Sequence, residues 1–200
     1  GGTQTWAENM DLMFTFRGIP CVYYGSEVEF KKGELIDKGT LISLENSGRA
    51  YFGDYLEGTV KATDFSESTA SGTVADTLAS PLSKHLSKVN AIRRAIPALQ
   101  KGQYTASSTY VTGGDMSYVR RYTDDNTDSL ALVSISSGAT FKNIPNGKYV
   151  DAVTGDVKYV TDGTLTVPEL AKANMRVYVC CASGFTGIDG QIGGDSAYAK

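Results

Sequence analysis

From Gln103 to Ala182 apolar and polar residues alternate with a period of two, and turn residues interrupt them at short intervals. This pattern constrains the fold most, because a period of two places successive side chains on opposite faces of a sheet. The strand-like runs are Tyr104–Ala106, Met116–Tyr122, Leu130–Ser136, Tyr149–Val153, Val157–Val160, Thr164–Val167 and Met175–Cys181. Between them lie Gly113-Gly114, Asp124-Asp125-Asn126, Pro145-Asn146-Gly147, Thr154-Gly155-Asp156 and Asp162-Gly163. Such spacing predicts an antiparallel sandwich or barrel over residues 103–182. The segment 183–200 is rich in Gly, Asp and Ser and is expected to be a linker or disordered end.

Residues 1–102 follow another logic. Trp6, Met10, Met13 and Phe14 repeat at helical spacing within Thr5–Phe16, and Gly18 and Pro20 end the run. A short apolar stretch, Ile19 to Tyr24, follows and stops at Gly25-Ser26-Glu27. Helix, short loop and doubly apolar strand form the αβ step of a parallel sheet covered on both faces. Residues 28–80 hold no lasting periodicity, although Phe30, Tyr51, Phe52, Tyr55 and Phe65 recur there, so a long functional loop is expected. A helix resumes at Ser80-Pro81, with Ser80 as N-cap and Pro81 at the first helical position. Leu82, Leu86, Val89, Ile92 and Ile96 form its apolar stripe, which Pro97 and Gly102 close.

Several function classes are disfavoured. Net charge is −3 without a long basic run, which argues against nucleic acid as the partner. No window reaches the roughly 18 consecutive apolar residues of a membrane span, and no signal peptide is visible at the start. The three cysteines, Cys21, Cys180 and Cys181, lack metal-ligand spacing and read as small buried hydrophobes. The single histidine, His85, flanks the apolar stripe and reads as a surface or boundary residue, without sequence neighbours to build zinc or Ser-His-Asp chemistry. Asp124-Asp125-Asn126-Thr127-Asp128 is oxygen-rich but lacks EF-hand spacing, and reads as a solvated hairpin turn.

The segment Phe14-Thr15-Phe16-Arg17-Gly18-Ile19-Pro20-Cys21-Val22-Tyr23-Tyr24-Gly25-Ser26-Glu27 resembles the last barrel strand of the α-amylase superfamily of glycoside hydrolases, glycoside hydrolase family 13. There a Gly-x-Pro start and a Tyr-x-Gly-x-Glu end mark strand eight of a (β/α)8 barrel. The helix before it, the long loop after it, the helix running into Ile96-Pro97-Ala98-Leu99 and the β domain follow in the family's order. The resemblance thus implies an α/β fragment, the end of a (β/α)8 barrel (1–102), followed by an all-β antiparallel sandwich domain (103–182). Chemistry in such barrels sits on loops at the C-terminal ends of strands, which would place Tyr24 and Glu27 there. Asn46-Ser47-Gly48-Arg49-Ala50 is the nearest match to the Asn-Arg context in which the family's last loop supplies an arginine to substrate. Arg49, Tyr24 and Glu27 are therefore the candidate substrate-binding residues. The alternatives are a loop ion pair of Arg49 with Glu45 or Asp54, packing for Tyr24, and a structural carboxylate bonding loop amides for Glu27.

The resemblance also implies what this chain lacks. Retaining glycosidases need two carboxyl groups about 5 Å apart. The family carries its Asp nucleophile, Glu acid/base and second Asp on strands four, five and seven, all of which would precede residue 1. The chain is thus expected to be the C-terminal part of a starch- or maltodextrin-cleaving hydrolase, extracellular or at the cell surface, with no catalytic residue and no certain cofactor of its own. Calcium is left open for the parent enzyme. The other readings are a structural β domain, or one that binds glucan through Tyr104, Tyr110, Tyr118, Tyr122, Tyr149, Tyr159 and Tyr178. A severed barrel end would have to be mobile, self-associate through its open edges, or pack on the β domain.

Overall fold

The computed structural model describes residues 2–23, 26–27, 60–64 and 67–200. The chain divides into two compact units, Gly1–Pro20 with His85–Lys200, and Cys21–Lys84. This division cuts across residues 1–102, joining the first helix to the β domain.

In the larger unit, α1 (Thr3–Thr15) buries Ala7, Met10, Asp11, Phe14 and Thr15. Trp6 and Met13, expected on its inner face, are each 37% exposed, so the buried stripe is rotated toward Ala7 and Asp11. The helix ends where the chain turns extended at Phe16. There the Arg93 guanidinium donates to the carbonyls of Phe14, Phe16 and Gly18. A buried cation thus satisfies carbonyls that the helix end leaves open.

Nine strands follow: β3 (Gln103–Thr105), β4 (Val111–Thr112), β5 (Ser117–Thr123), β6 (Asp128–Ile135), β7 (Ala139–Phe141), β8 (Gly147–Asp151), β9 (Val157–Val160), β10 (Leu165–Val167) and β11 (Met175–Cys180). They form a six-stranded sheet in the order β3-β5-β6-β11-β8-β9 and a three-stranded sheet in the order β10-β7-β4. Every pairing is antiparallel. Register follows the alternation. Val119, Leu130, Leu132, Tyr149, Tyr178 and Cys180 meet Val111, Ala139, Phe141, Leu165 and Val167 of the smaller sheet in one core. This is the expected sandwich. The expected strands all form within two residues of their sequence limits, and β4 and β7 are additional.

The opposite face of the large sheet is covered as well. In β6 every residue after Asp128 is buried. Leu130 and Leu132 face the sandwich core, whereas Ala131, Val133 and Ile135 lie on the other face, over which α1 and α4 (Pro97–Lys101) pack. A central strand covered on both faces loses its polar alternation, as β6 does. α3 (Pro81–Ala95) precedes α4 in the chain and is broken from it by the extended Ile96 before Pro97.

In the smaller unit, Ser80 caps α3 as expected, its Oγ accepting from the Ser83 amide at 3.2 Å. The stretch expected to be one long loop contains a hairpin of β1 (Val60–Asp64) and β2 (Glu67–Ala70), then α2 (Thr73–Leu78).

Two expectations are corrected. Residues 19–23 are not a strand: Ile19 is 96% exposed, Tyr23 is 63% exposed and Cys21 is exposed rather than buried. A parallel strand needs hydrogen-bonded neighbours along its edges, and no parallel pair occurs among the described residues. The first helix instead satisfies its apolar face on the β domain. The segment from Ser183, expected as a linker, holds no strand or helix, yet Thr186 donates to the Asp128 carbonyl and Ile192 to that of Ala152.

Candidate functional site

Of the three candidate substrate-binding residues, Tyr24 and Arg49 lie outside the described residues. Glu27 is described. Its carbonyl accepts a 2.8 Å hydrogen bond from Ser83 Oγ, and its Oε2 is buried with no hydrogen-bond partner among the described residues. The loop amides expected around a structural carboxylate are therefore not among the described partners of this oxygen.

The seven tyrosines do not form one platform. Tyr118, Tyr149 and Tyr178 are buried, and burial pushes each phenol above its ordinary pKa. Their hydroxyls are engaged, with Thr15 Oγ1, the Pro145 carbonyl and Asp156 respectively. Tyr104, Tyr110 and Tyr159 are exposed. Tyr104 and Tyr159 stand on β3 and β9, the opposite edges of the large sheet. Tyr104 also packs edge-on to Phe16 at 4.7 Å, with the Arg17 guanidinium 6.0 Å from its ring centre.

Asp124 to Asp128 form the expected hairpin turn between β5 and β6. Asp124 Oδ1 accepts from the Asn126 amide and Oδ2 from the Tyr122 hydroxyl, and Asp128 pairs with Arg121 at 2.7 Å. The Asn126 amide, and after it the Tyr122 hydroxyl, hold the Asp124 carboxyl below its usual pKa. No group of three or more metal-ligating side chains occurs among the described residues. No helix there is long and apolar enough to cross a membrane.

The most concentrated chemistry surrounds His85, which is fully buried rather than at the surface. Nε2 lies 3.0 Å from Asp11 Oδ1 and 3.2 Å from the Ala7 carbonyl. Nδ1 lies 3.0 Å from Ser196 Oγ, and the Tyr198 ring stands edge-on at 5.5 Å. α1 supplies Asp11, α3 supplies the imidazole and the C-terminal segment supplies Ser196, so the fold assembles a serine, a histidine and an aspartate from distant parts of the chain. Burial raises the Asp11 carboxyl from 3.8 to about 6, against the opposing pull of His85. Both Asp11 carboxylate oxygens are buried without a hydrogen-bond partner among the described residues, so the 3.0 Å approach of Oδ1 to His85 is an ion-pair contact.

The order of these groups is that of a nucleophile, base and orienting acid, but the serine is otherwise committed. Ser196 Oγ also accepts from the Tyr198 and Ala199 amides at 3.2 and 3.3 Å. A hydroxyl has two acceptor lone pairs, and both are occupied. The arrangement therefore holds the C-terminal segment in place and offers no free electron pair for attack on a carbonyl.

The fold is an antiparallel two-sheet β domain with a helical layer on its larger sheet. No family model matches the chain, and no curated protein matches it. Among solved structures the chain is similar to a variant of AmyP in complex with maltotriose, at 16% identity and a TM-score of 0.47, over 88% of this chain and 34% of that one. It is also similar to AmyP in complex with maltose, at 17% identity and a TM-score of 0.48, over 90% of this chain and 36% of that one. The chain thus spans about a third of the length of those chains.

Proposed function

We propose that this chain is the C-terminal part of an α-amylase-type retaining α-1,4-glucan hydrolase acting on starch or maltodextrins. The observation that carries the reading is the order of segments: helix, Gly18-x-Pro20 to Tyr23-Tyr24-Gly25-Ser26-Glu27, a long aromatic-bearing insertion that contains a hairpin and a short helix, capped amphipathic helix and antiparallel sandwich. The second half of that order is supported by the two-sheet core. In this reading residues 1–102 close a barrel whose earlier strands carry the acids, and 103–182 form the domain that shields it. The chain by itself then hydrolyses nothing, because retaining cleavage needs a nucleophile and an acid/base about 5 Å apart. The parent enzyme is extracellular or at the cell surface. Self-association through open barrel edges belongs to this reading for the isolated chain.

Within the complete enzyme, Arg49, Tyr24 and Glu27 contribute to sugar binding: guanidinium and carboxylate bond hydroxyls, and the tyrosine ring stacks on a pyranose face. Arg49→Ala in that enzyme should lower kcat/KM for maltooligosaccharides by roughly tenfold, the loss of one charged hydrogen bond. Unchanged kinetics would remove Arg49 from the site. An insoluble-starch pull-down of the chain separates a binding module from the proposed role. Retention on starch without turnover would favour a glucan-binding β domain built on Tyr104, Tyr110 and Tyr159.

A further inference from the structure

The large sheet ends at β9, and no strand lies on its outer side among the described residues. The other terminal strands are shorter: β3 and β10 have three residues and β4 has two, against four in β9. β9 also keeps two large apolar side chains in solvent, Val157 at 42% and Tyr159 at 73% exposure. Such an edge is a template for a further strand. The alternation within β9 fixes which backbone groups face outward. The Asp151 amide donates to the Asp156 carbonyl at 2.8 Å, and Lys158 and Val160 stand opposite Tyr149 and Gly147 of β8. In an antiparallel ladder every second residue bonds to one neighbour. Asp156, Lys158 and Val160 therefore turn toward β8, whereas Val157 and Tyr159 present amide and carbonyl to the open side.

A two-fold pairing of β9 with another β9 must set outward-facing residues against each other. That leaves three centres inside the strand: residue 157, 158 or 159. Centring on Lys158 puts two ammonium groups directly opposite, which is destabilising. Centring on Tyr159 puts Lys158 opposite the partner's Val160, which is buried, so neither ammonium meets a carboxylate. Centring on Val157 puts Lys158 opposite the partner's Asp156, twice over. It also brings the two Val157 side chains together and lays each Tyr159 beside the partner's Gly155, which has no side chain to obstruct the ring. Both charged groups reach the edge: within one chain Lys158 Nζ and Asp156 Oδ2 are 3.9 Å apart, with side chains 36% and 52% exposed.

We propose that β9 is a self-association edge, which pairs antiparallel with β9 of a second copy of this chain, centred on Val157, and joins two large sheets into one. Lys158 makes the edge selective. A foreign strand without a carboxylate opposite it leaves an ammonium unpaired, whereas a second copy supplies Asp156 at that place. One four-residue strand per copy is a small contact beside the roughly 1,600 Å² of a standard interface, so the pairing is reversible and depends on concentration. It stands apart from the hydrolase reading.

Sedimentation of the full chain should show a monomer–dimer equilibrium between about 10 μM and 1 mM, the range of weak contacts. Asp156→Lys and Lys158→Asp each set like charges opposite at both pairs, and each alone should weaken association about tenfold. Mixed one to one, the two variants should associate as the native chain does, because every lysine then meets an aspartate across the axis. A nitroxide on Val157→Cys, in a Cys21→Ser background, should show spin–spin broadening that grows with concentration. The same label on Tyr110→Cys, away from β9, should show none. A monomer throughout that range, association unchanged by either charge substitution, or a mixture that fails to recover would each overturn the proposal. Unchanged association would place the contact on another surface, open barrel edges included. Asp156→Lys removes the acceptor of the Tyr178 hydroxyl. Should it not fold, the label on the exposed Val157 position decides alone, and absence of broadening there overturns the proposal.

Discussion

Arg120 is an arginine with almost no contact with solvent; its Nε has no hydrogen-bond partner among the described residues, and its two Nη groups make its hydrogen bonds. One Nη donates to the Thr15 carbonyl at 2.7 Å and the other to the Gly102 carbonyl at 2.9 Å, so a strand side chain ties the end of α1 to the end of α4. Arg120→Met should strand both carbonyls and cost about 3 kcal/mol, read as a lower urea midpoint at unchanged slope. A variant as stable as the native chain would show that the ties contribute nothing net. Asp11 supplies a pH-dependent test. Its folded pKa of about 6 exceeds the ordinary 3.8, so its proton favours the folded state. That contribution is fully present below pH 4 and is lost as pH rises to 6. Asp11→Asn, which keeps the neutral form, should therefore gain stability relative to the native chain above pH 6, on the order of 3 kcal/mol, and gain little at pH 4. A difference independent of pH in urea titrations would contradict the buried, proton-holding carboxyl.

Among elements, the junction of α4 with β3 is the tightest. A Cβ on Gly102 would lie 2.2 Å from the Ala98 carbonyl oxygen and 2.9 Å from that of Arg121, both backbone atoms that cannot swing away. Gly102→Ala should cost about 2 kcal/mol by forcing helix and strand apart, visible as a lower Tm. An unchanged Tm would mean that the junction yields freely. The same scale shows what was legible in the sequence. Long alternating strands such as Ser117–Thr123 and the stripe from Leu82 to Ile96 announce themselves, because burial on one side imposes a period. Val111–Thr112 and Ala139–Phe141 are too short to show one, and the hairpin Val60–Asp64 with Glu67–Ala70 carries none that lasts. Ile19–Tyr23 has the apolar composition of a buried strand but lies outside any strand. His85 was misplaced because its acceptors, Ala7 and Asp11, and its partner Ser196 lie far away along the chain, where local periodicity carries no signal. Of the candidate site only Glu27 falls within the described residues, and the strand that was to end at it does not form over 19–23, so its setting was not legible in the sequence.

For the molecule as a whole, one unit joins the N-terminal helix to the sandwich and the C-terminal segment, and both faces of β6 are buried in it. The proposed function assigns this unit a supporting role beside chemistry carried elsewhere. The direct measurement is release of reducing ends from soluble starch by the purified 200-residue chain. The account predicts a rate no greater than that of buffer. Turnover that scales with protein and is abolished by a carboxylate substitution within the chain, such as Glu34→Gln, would contradict it.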